Sequence, residues 1–386
     1  MKISDKEFKS RIEKLQKKMQ DEKFDLILAY GNEAEPQYVR YLCDYWPSFE
    51  TAGVLVAREG EPILLIGPES YTYAADRSRI DKIRLLKAFR ESSDPEYPGK
   101  KLDTFRTVFE ELLGNKKDLK LGVAGYSLMN VGVYKALCEI LPQNQIIKAD
   151  YMLNDLRMIK TETELSCMRK AAEITRDTFN YVLSKIEPGM TETQVVGLAL
   201  GKMHELGAER ESYPLWVLSG EGSNQAISRA RNKVIKKGEL TFLQIGARYE
   251  GYASSIGRPV ILGKATEPQK ELIKIGYLGQ ETVMKALKAG VPARDVARLY
   301  EKTIQDAGYG EWLLYGPCHG NGLMEGEAPW IENNSDFILK ENMTFCVDIF
   351  LGNNDTKMGL RMEDVVCVKK EGVEILTNYP RDLFEL

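Results

Sequence analysis

The sequence predicts an α+β protein of two domains, a smaller α/β domain over residues 1–150 and a larger α+β domain over residues 151–386. The length of 386 residues is about that of two ordinary domains. Short apolar runs alternate with helical patterns in the first part of the chain, which is typical of a sheet covered by helices. In the second part, pairs of helices precede groups of strands, which indicates an α+β arrangement.

Composition and charge exclude several classes of protein. Hydrophobic residues make up 43% and charged residues 28%, which is typical of globular domains. The net charge of −4 is not that of a protein that binds nucleic acid or an anionic membrane surface. No apolar run approaches the roughly 18–20 residues that cross a bilayer, and the charged start does not resemble a signal peptide. The six cysteines form no C-x-x-C pair, which predicts reduced thiols and a cytoplasmic protein.

In the first domain, apolar runs bounded by Gly, Pro or polar residues predict strands, and helical spacing predicts the helices between them. The predicted strands cover 25–30, 52–57, 62–67, 120–127 and 146–150. The predicted helices cover 5–21, 69–77, 102–113 and 130–140. These elements predict a mostly buried sheet covered by helices.

In the second domain, Thr161 and Glu164 have capping-box spacing and predict the start of a long helix. Pro188 and Gly189 end that helix, and Thr191 caps the next one. The period then falls to two between 213 and 262, which predicts a hairpin that turns at 249–251. Helices follow at 267–289 and 293–307, with strands around 314–324, 343–351 and 359–376.

Polar residues that could carry chemistry stand on the late strands. They are Gln244, Ser255 and Arg258 on the hairpin, His319, Glu325 and Glu327 in the segment 316–330, Asp348 in the strand 343–351, and Arg361 and Glu363 in the last strand. A carboxylate inside a buried strand needs a partner or a function, although Asp348 could instead face solvent at an edge. His319 lies among glycines that let backbone approach a ligand closely, although a structural imidazole is the alternative.

The motifs resemble the pita-bread family of methionine aminopeptidases, prolidases, aminopeptidase P and creatinase. The matching segments, in order, are LRMIKTETELSCMRKAAEI, PGMTE, GARYEGYASSIGRP, HGNGLMEGEAP, MTFCVDIFLG and LRMEDVV. Over 151–386 the resemblance implies a pita-bread catalytic domain. Over 1–150 it implies the smaller N-terminal domain of prolidases and creatinase.

The chain departs from the family at the metal ligands. Peptidases of the family hold two metal ions with two Asp, one His and two acidic residues. The two Asp positions here are Gln244 and Ser255, whereas His319, Asp348 and Glu363 match the other three. The family's second His, seven residues after the first, is Gly326, and the His expected after the S-G-x-x-x-N-x-A stretch is missing too. The remaining negative charge is too small for two adjacent divalent ions, so we expect no dinuclear centre.

Creatinase is the metal-free enzyme of the family, and the loss of the Asp pair is shared with it. The resemblance therefore implies a metal-independent creatinase-like hydrolase or lyase without a cofactor, which cleaves a C–N bond in a small cationic or zwitterionic amino-acid-like substrate. The predicted catalytic residues are His319, Asp348 and Glu363. The predicted substrate-binding residues are Trp46, Phe49, Gln244, Ser255, Arg258, Glu327 and Arg361.

The resemblance also implies a homodimer, because the small domain of creatinase supplies groups to the partner subunit's site. The segment around Trp46 and Phe49 occupies the corresponding place. Two other functions stay open. The first is an Xaa-Pro dipeptidase or aminopeptidase-like metallohydrolase with one divalent ion at His319, Asp348 and Glu363. The second is a non-catalytic pita-bread protein that only binds.

Overall fold

The computed structural model describes residues 2–114, 116 and 118–386, and the chain divides into two compact units, Ile3–Arg157 and Met158–Leu386. The sequence places the boundary at 150, where the last helix of the first unit begins. In the part of the chain that the structure describes, no helix has the length and apolar character needed to cross a membrane.

The first unit is built on a six-stranded mixed sheet in the order β4-β3-β2-β1-β5-β6. Its strands are β1 (Leu26–Gly31), β2 (Ala52–Ala57), β3 (Ile63–Ile66), β4 (Ile83–Leu85), β5 (Leu121–Ala124) and β6 (Ile146–Lys148). Its helices are α1 (Asp5–Asp21), α2 (Gln37–Cys43), α3 (Tyr71–Arg77), α4 (Phe105–Leu113), α5 (Val131–Cys138) and α6 (Asp150–Met158). Every residue of β1, β2, β3 and β5 is buried, as expected for strands covered on both faces.

Three elements of the first unit are absent from the sequence prediction. All seven residues of α2 are buried, so its sequence has no polar face and no helical period. Strand β4 has three residues, which is too short for alternation to show. The third is α6, whose mixed acidic and basic sequence resembles a linker.

The second unit contains four long helices and two sheets. The helices are α7 (Glu162–Leu183), α8 (Glu192–Glu205), α9 (Glu267–Ala286) and α10 (Ala293–Asp306). The strands are β7 (Arg210–Glu211), β8 (Trp216–Ser219), β9 (Leu240–Ile245), β10 (Ala247–Tyr249), β11 (Tyr252–Ala253), β12 (Ile256–Ile261), β13 (Cys318–Gly320), β14 (Glu327–Ile331), β15 (Thr344–Asn353), β16 (Met358–Lys369), β17 (Gly372–Ile375) and β18 (Phe384–Glu385). The predicted pita-bread architecture, with a creatinase-type N-terminal domain, is confirmed.

The large sheet of the second unit runs in the order β14-β13-β15-β16-β12-β9-β8, and β17 and β18 pair with β16 and β12. Helices α9 and α10 pack on the alternate residues of β15 and β16 that include Val347 and Met362. Helices α7 and α8 pack on residues of β9 and β12 such as Leu243 and Ile256. Because side chains alternate along a strand, the intervening residues lie on the opposite face of the sheet.

Candidate metal and active site

A row of residues crosses the face of the large sheet that is turned away from the helices. Gln244 on β9 lies opposite Gly257 on β12, Gly257 lies opposite Glu363 on β16, and Glu363 lies opposite Asp348 on β15. A Cβ atom at Gly257 would be 3.0 Å from the Glu363 amide nitrogen. Because the central position has no side chain, the Gln244 amide reaches across it and donates a hydrogen bond to Glu363 Oε2.

Neutral donors hold one oxygen of Glu363. Ser255 Oγ donates to Glu363 Oε2 at 2.9 Å, beside the bond from Gln244. The Ser255 proton is used in this bond, so the Tyr213 hydroxyl, 2.7 Å away, is the donor to Ser255 Oγ. Burial and then the charges of Glu325 and Asp348 raise the pKa of Glu363 well above its usual range. The two residues at the family's Asp positions therefore orient a carboxyl group that is fully buried.

Four side chains that could bind a metal ion, Glu363 among them, come together around the second oxygen of Glu363. One ligand atom each from His319, Glu325, Cys346 and Glu363 lies within 4.8 Å of the others. His319 Nε2 is 3.6 Å from Glu325 Oε1 and 4.0 Å from Glu363 Oε1. The backbone places two of them side by side, because His319 on β13 lies directly opposite Cys346 on β15.

The hydrogen bonds around this cluster leave electron pairs pointing into it. His319 Nδ1 is 3.1 Å from the Gly320 carbonyl, which can only accept, so Nδ1 carries the proton. The unprotonated Nε2 then faces the two carboxyl groups, the usual orientation of a metal-binding histidine. Among the residues that the structure describes, no amide, ammonium or hydroxyl group donates a hydrogen bond to Glu363 Oε1. This donor set fits one divalent ion.

The electrostatics of the cluster also favour a cation. Burial and then the charge of Asp348 raise the pKa of Glu325, and burial and then Glu363 raise the pKa of the Cys346 thiol. Acidic groups this close together and this buried compete for protons when no positive charge is present. An ion of charge +2 would offset that repulsion.

Asp348 lies in the same row, but a different group neutralises it. Arg361 Nη1 is 3.5 Å from Asp348 Oδ2, and the Tyr315 hydroxyl donates to that oxygen at 2.9 Å. Arg361 Nη2 in turn donates to the Tyr315 hydroxyl at 2.5 Å. The guanidinium carbon lies 4.6 Å from the centre of the Trp216 ring, a cation–π contact. Although burial opposes it, the Asp348 charge raises the pKa of Arg361, so this group stays positive.

The sequence profile of metallopeptidase family M24 matches residues 166–370, which is more than half of the chain. The chain belongs to metallopeptidase family M24. The profile of the creatinase and prolidase N-terminal domain matches residues 11–159. The family resemblance predicted from the sequence motifs is thereby confirmed. Membership supports a hydrolase that acts on peptide C–N bonds.

Relatives match this M24 chain over nearly its whole length. An Xaa-Pro dipeptidase of Pyrococcus furiosus is 28% identical, over 97% of this chain and 99% of the relative. The crystal structure of an X-Pro aminopeptidase from Thermotoga maritima has a TM-score of 0.83 at 26% identity, over 97% of this chain and 99% of that one. A prolidase structure from Thermococcus sibiricus has a TM-score of 0.85 at 26% identity, over 98% and 99%.

These findings correct the function expected from the sequence. The expected metal-independent creatinase-like hydrolase or lyase is wrong, because the relatives that cover nearly the whole chain are named Xaa-Pro dipeptidases. The expectation of no cofactor is unsupported too, since the family is one of metallopeptidases and the M24 unit holds a potential ligand group. Within that group, His319 and Glu363 were predicted as ligands of a single ion. Glu325 and Cys346 complete it, and Asp348 is bound by Arg361.

Two of the predicted substrate-binding residues have structural partners. Arg258 directly follows Gly257 on β12, so its side chain points to the opposite face of the sheet, which the helices cover. Its fully buried guanidinium donates to the carboxylate of Asp364 and to the carbonyls of Gly257, Glu363, Tyr379 and Pro380. Glu327 is bound by the buried Lys160 ammonium at 3.2 Å and accepts from the Met324 amide. Arg258 and Glu327 are therefore engaged in contacts within the fold, and their predicted contact with a substrate stays a prediction.

The two predicted aromatic residues belong to the first unit. The Trp46 indole donates to the Glu33 carbonyl at 2.9 Å, and the Arg40 guanidinium lies over its ring. Phe49 is 81% exposed and has a positive φ of 59°. Their contact with a substrate in the partner subunit's site stays a prediction.

Sequence reasoning left four residues out of the site: Glu325, Cys346, Tyr213 and Tyr315. Glu325 was noted beside His319 but given no role. A signal for Cys346 existed, because it is two residues from Asp348 on one strand and therefore shares its face. The two tyrosines lie in segments whose position relative to the strands only the folded chain defines.

Proposed function

We propose that this M24 protein hydrolyses the peptide bond before proline in short peptides, using one divalent ion held within the cluster of His319, Glu325, Cys346 and Glu363. The convergence of these four ligand atoms within 4.8 Å is the observation that carries the proposal. The names of the relatives support the reaction, since they are Xaa-Pro dipeptidases and an X-Pro aminopeptidase.

A single ion is proposed because the second half of the family's metal centre consists of neutral groups. Gln244 and Ser255 donate hydrogen bonds to Glu363 Oε2, so neutral groups already bind that oxygen. An amide and a hydroxyl add no negative charge to offset the dehydration of a second divalent ion. His319, Glu325, Cys346 and Glu363 would hold this ion, which would supply Lewis acidity toward the carbonyl of the bond to be cleaved.

The chain's own residues position the substrate and the proton. A chain of hydrogen bonds runs from Tyr213 through Ser255 to Glu363, which is a member of the cluster. Burial and then the charge of Glu363 raise the pKa of Tyr213 well above its usual range, so its hydroxyl stays a donor. The rings of Tyr213 and Trp216, 5.6 Å apart, offer an apolar surface to a proline ring.

Activity and metal content test this proposal together. The full-length protein is stripped of metal and dialysed singly against Zn²⁺, Co²⁺ or Mn²⁺, after which bound ions and hydrolysis of Xaa-Pro and Xaa-Ala dipeptides are measured. We expect one ion per chain and hydrolysis of the proline peptides alone. Glu363→Gln should lower kcat/KM by about 100-fold or more, whereas Glu371→Gln at an exposed turn should change it little. Failure to cleave any Xaa-Pro peptide with each ion would overturn the proposal, as would two tightly held ions.

A further inference from the structure

Cys346 is the least expected member of the cluster. Its side chain is completely buried, yet it lies on the polar face of the sheet. Sγ is 3.7 Å from Glu325 Oε1 and 3.9 Å from the Glu325 carbonyl oxygen. Cys318 on the neighbouring strand is an instructive contrast, because it is equally buried but packs in the apolar core under α9 and α10. Packing therefore accounts for Cys318 and leaves the position of Cys346 to be explained.

Two further observations point to a cation beside this thiol. Glu363 is fully buried, and within the described part of the chain no amide, ammonium or hydroxyl group donates a hydrogen bond to its Oε1. The groups beside this carboxyl are themselves acidic, the Glu325 carboxyl and the Cys346 thiol. His319 directs the lone pair of Nε2 toward the same place, because its Nδ1 proton is bound by the Gly320 carbonyl. A buried acceptor without such a donor destabilises the fold, and a cation shared by these atoms would remove that cost.

We propose that Cys346 is a sulphur ligand of the ion, and that the site is therefore selective for a thiophilic divalent ion of the zinc class over a hard ion such as Mn²⁺. The proposal deepens the single-ion site of the proposed function and rests on it. Thiolate and imidazole ligands suit zinc, whereas manganese and magnesium prefer carboxylate, carbonyl and water oxygen. On binding, the sulphur–hydrogen bond breaks, the sulphur–metal bond forms, and the proton passes to solvent.

The first experiment reads the sulphur bond directly and needs no activity. Metal-free full-length protein is titrated with Co²⁺ and, separately, with Cd²⁺, while near-ultraviolet absorption and bound metal are recorded. We expect a sulphur-to-metal charge-transfer band that grows to one ion per chain. Cys346→Ser should lose the band, whereas Cys138→Ser, a partly exposed cysteine of α5, should keep it. An ion bound without this band in the wild-type protein would overturn the proposal.

The second experiment measures selectivity. The protein is dialysed against equal concentrations of Zn²⁺ and Mn²⁺, and the retained metals are counted. Because most sites bind zinc more tightly than manganese, the variants are compared: we expect the preference of the wild-type protein for zinc to exceed that of Cys346→Asp by at least about 10-fold, while Cys346→Asp still binds an ion. Retention of manganese by the wild-type protein would contradict the proposal. Cys346→Asp supplies an oxygen ligand in place of sulphur, so it tests the loss of sulphur while a ligand atom remains. Circular dichroism checks that this variant is folded.

The results distinguish this inference from the proposed peptidase activity. A charge-transfer band without hydrolysis of Xaa-Pro peptides would leave Cys346 a ligand and refute the peptidase. Metal-dependent hydrolysis without a band would keep the peptidase and refute the sulphur ligand. No bound ion at all would refute both.

Discussion

Gln244 and Ser255, two neutral side chains at the family's Asp positions, change how the Glu363 carboxyl group can bind metal. The amide of Gln244 and the hydroxyl of Ser255 both donate hydrogen bonds to one oxygen of Glu363. The other oxygen faces His319 and Glu325. Gln244 and Ser255 therefore orient Glu363 without supplying the negative charge that a second ion needs.

The two histidines of the chain provide a matched pair of variants. His319 lies 14% exposed within the cluster, whereas His204 is exposed on α8 and its Nδ1 contacts only the backbone carbonyl of Ala208 among the described residues. We expect His319→Ala to lower kcat/KM on an Xaa-Pro dipeptide by about 100- to 10,000-fold, because it removes a group positioned at the reacting centre. His204→Ala should leave the rate within about twofold. Equal losses in both variants would exclude His319 from the chemistry.

Arg258 supports a prediction about stability. Its guanidinium and the Asp364 carboxylate are both completely buried and 2.9 Å apart, and Thr377 also donates to Asp364. Arg258→Met leaves the buried Asp364 carboxylate with only one cationic partner, the partly exposed Arg381 at 3.4 Å, so the free energy of unfolding should fall by up to about 3–5 kcal/mol. Urea unfolding measures it, with Arg229→Met at an exposed position as the control. A loss of less than about 1 kcal/mol would show that the pair does not stabilise the sheet.

Sequence periodicity predicts where the helices and strands of this protein lie much better than it predicts which of them contact one another. The helix capped by Thr161 and the hairpin that turns at Glu250 and Gly251 lie where their patterns place them. Capping and turn residues act over three or four positions, so the sequence contains the whole signal. The cluster is different, because Cys346 meets His319 only through the register of β13 and β15, and one residue of slip would place the two side chains on opposite faces of the sheet.

Asp25 links the starts of β1 and β5, two central strands of the first unit. Its ionisation makes the stability of that unit depend on pH. Asp25 precedes β1, and its carboxylate accepts from Lys116 Nζ at 2.7 Å and from the Lys120 amide, just before β5, at 2.9 Å. Arg58 adds an ion pair at 3.1 Å. Burial acts to raise the pKa of Asp25, but these hydrogen bonds and charges outweigh it and lower the pKa.

A lowered folded-state pKa means that Asp25 stabilises the fold above the unfolded-state pKa of about 3.9, and that this contribution is lost as pH falls through the folded-state value. Asp25→Asn should therefore reduce the free energy of unfolding at pH 6 and much less at pH 3. Urea titrations at the two pH values measure the difference, with the exposed Asp81→Asn as the control. An equal loss at both pH values would mean that the ionised carboxylate contributes nothing.

At the scale of the whole molecule, the proposed assembly is a symmetric dimer in which the first unit of one chain contributes Phe49 to the site of the other. Phe49 is 81% exposed at a positive φ, a backbone conformation that costs energy for a non-glycine residue, so its ring is accessible to a partner. Sedimentation equilibrium at micromolar concentration should give twice 43.7 kDa. A mass of one chain would remove the proposal.

Complementation between two inactive variants tests whether the sites are shared. Phe49→Ala and His319→Ala chains should each be impaired in Xaa-Pro hydrolysis as homodimers. In a mixed dimer, the His319-containing site receives Phe49 from the other chain and is complete, while the second site lacks both. Random pairing makes half of the dimers mixed, each with one intact site of two, so co-expression should recover roughly a quarter of the wild-type activity. If each chain completes its own site, every site in the mixture lacks one residue, and co-expression recovers no activity beyond the average of the two variants.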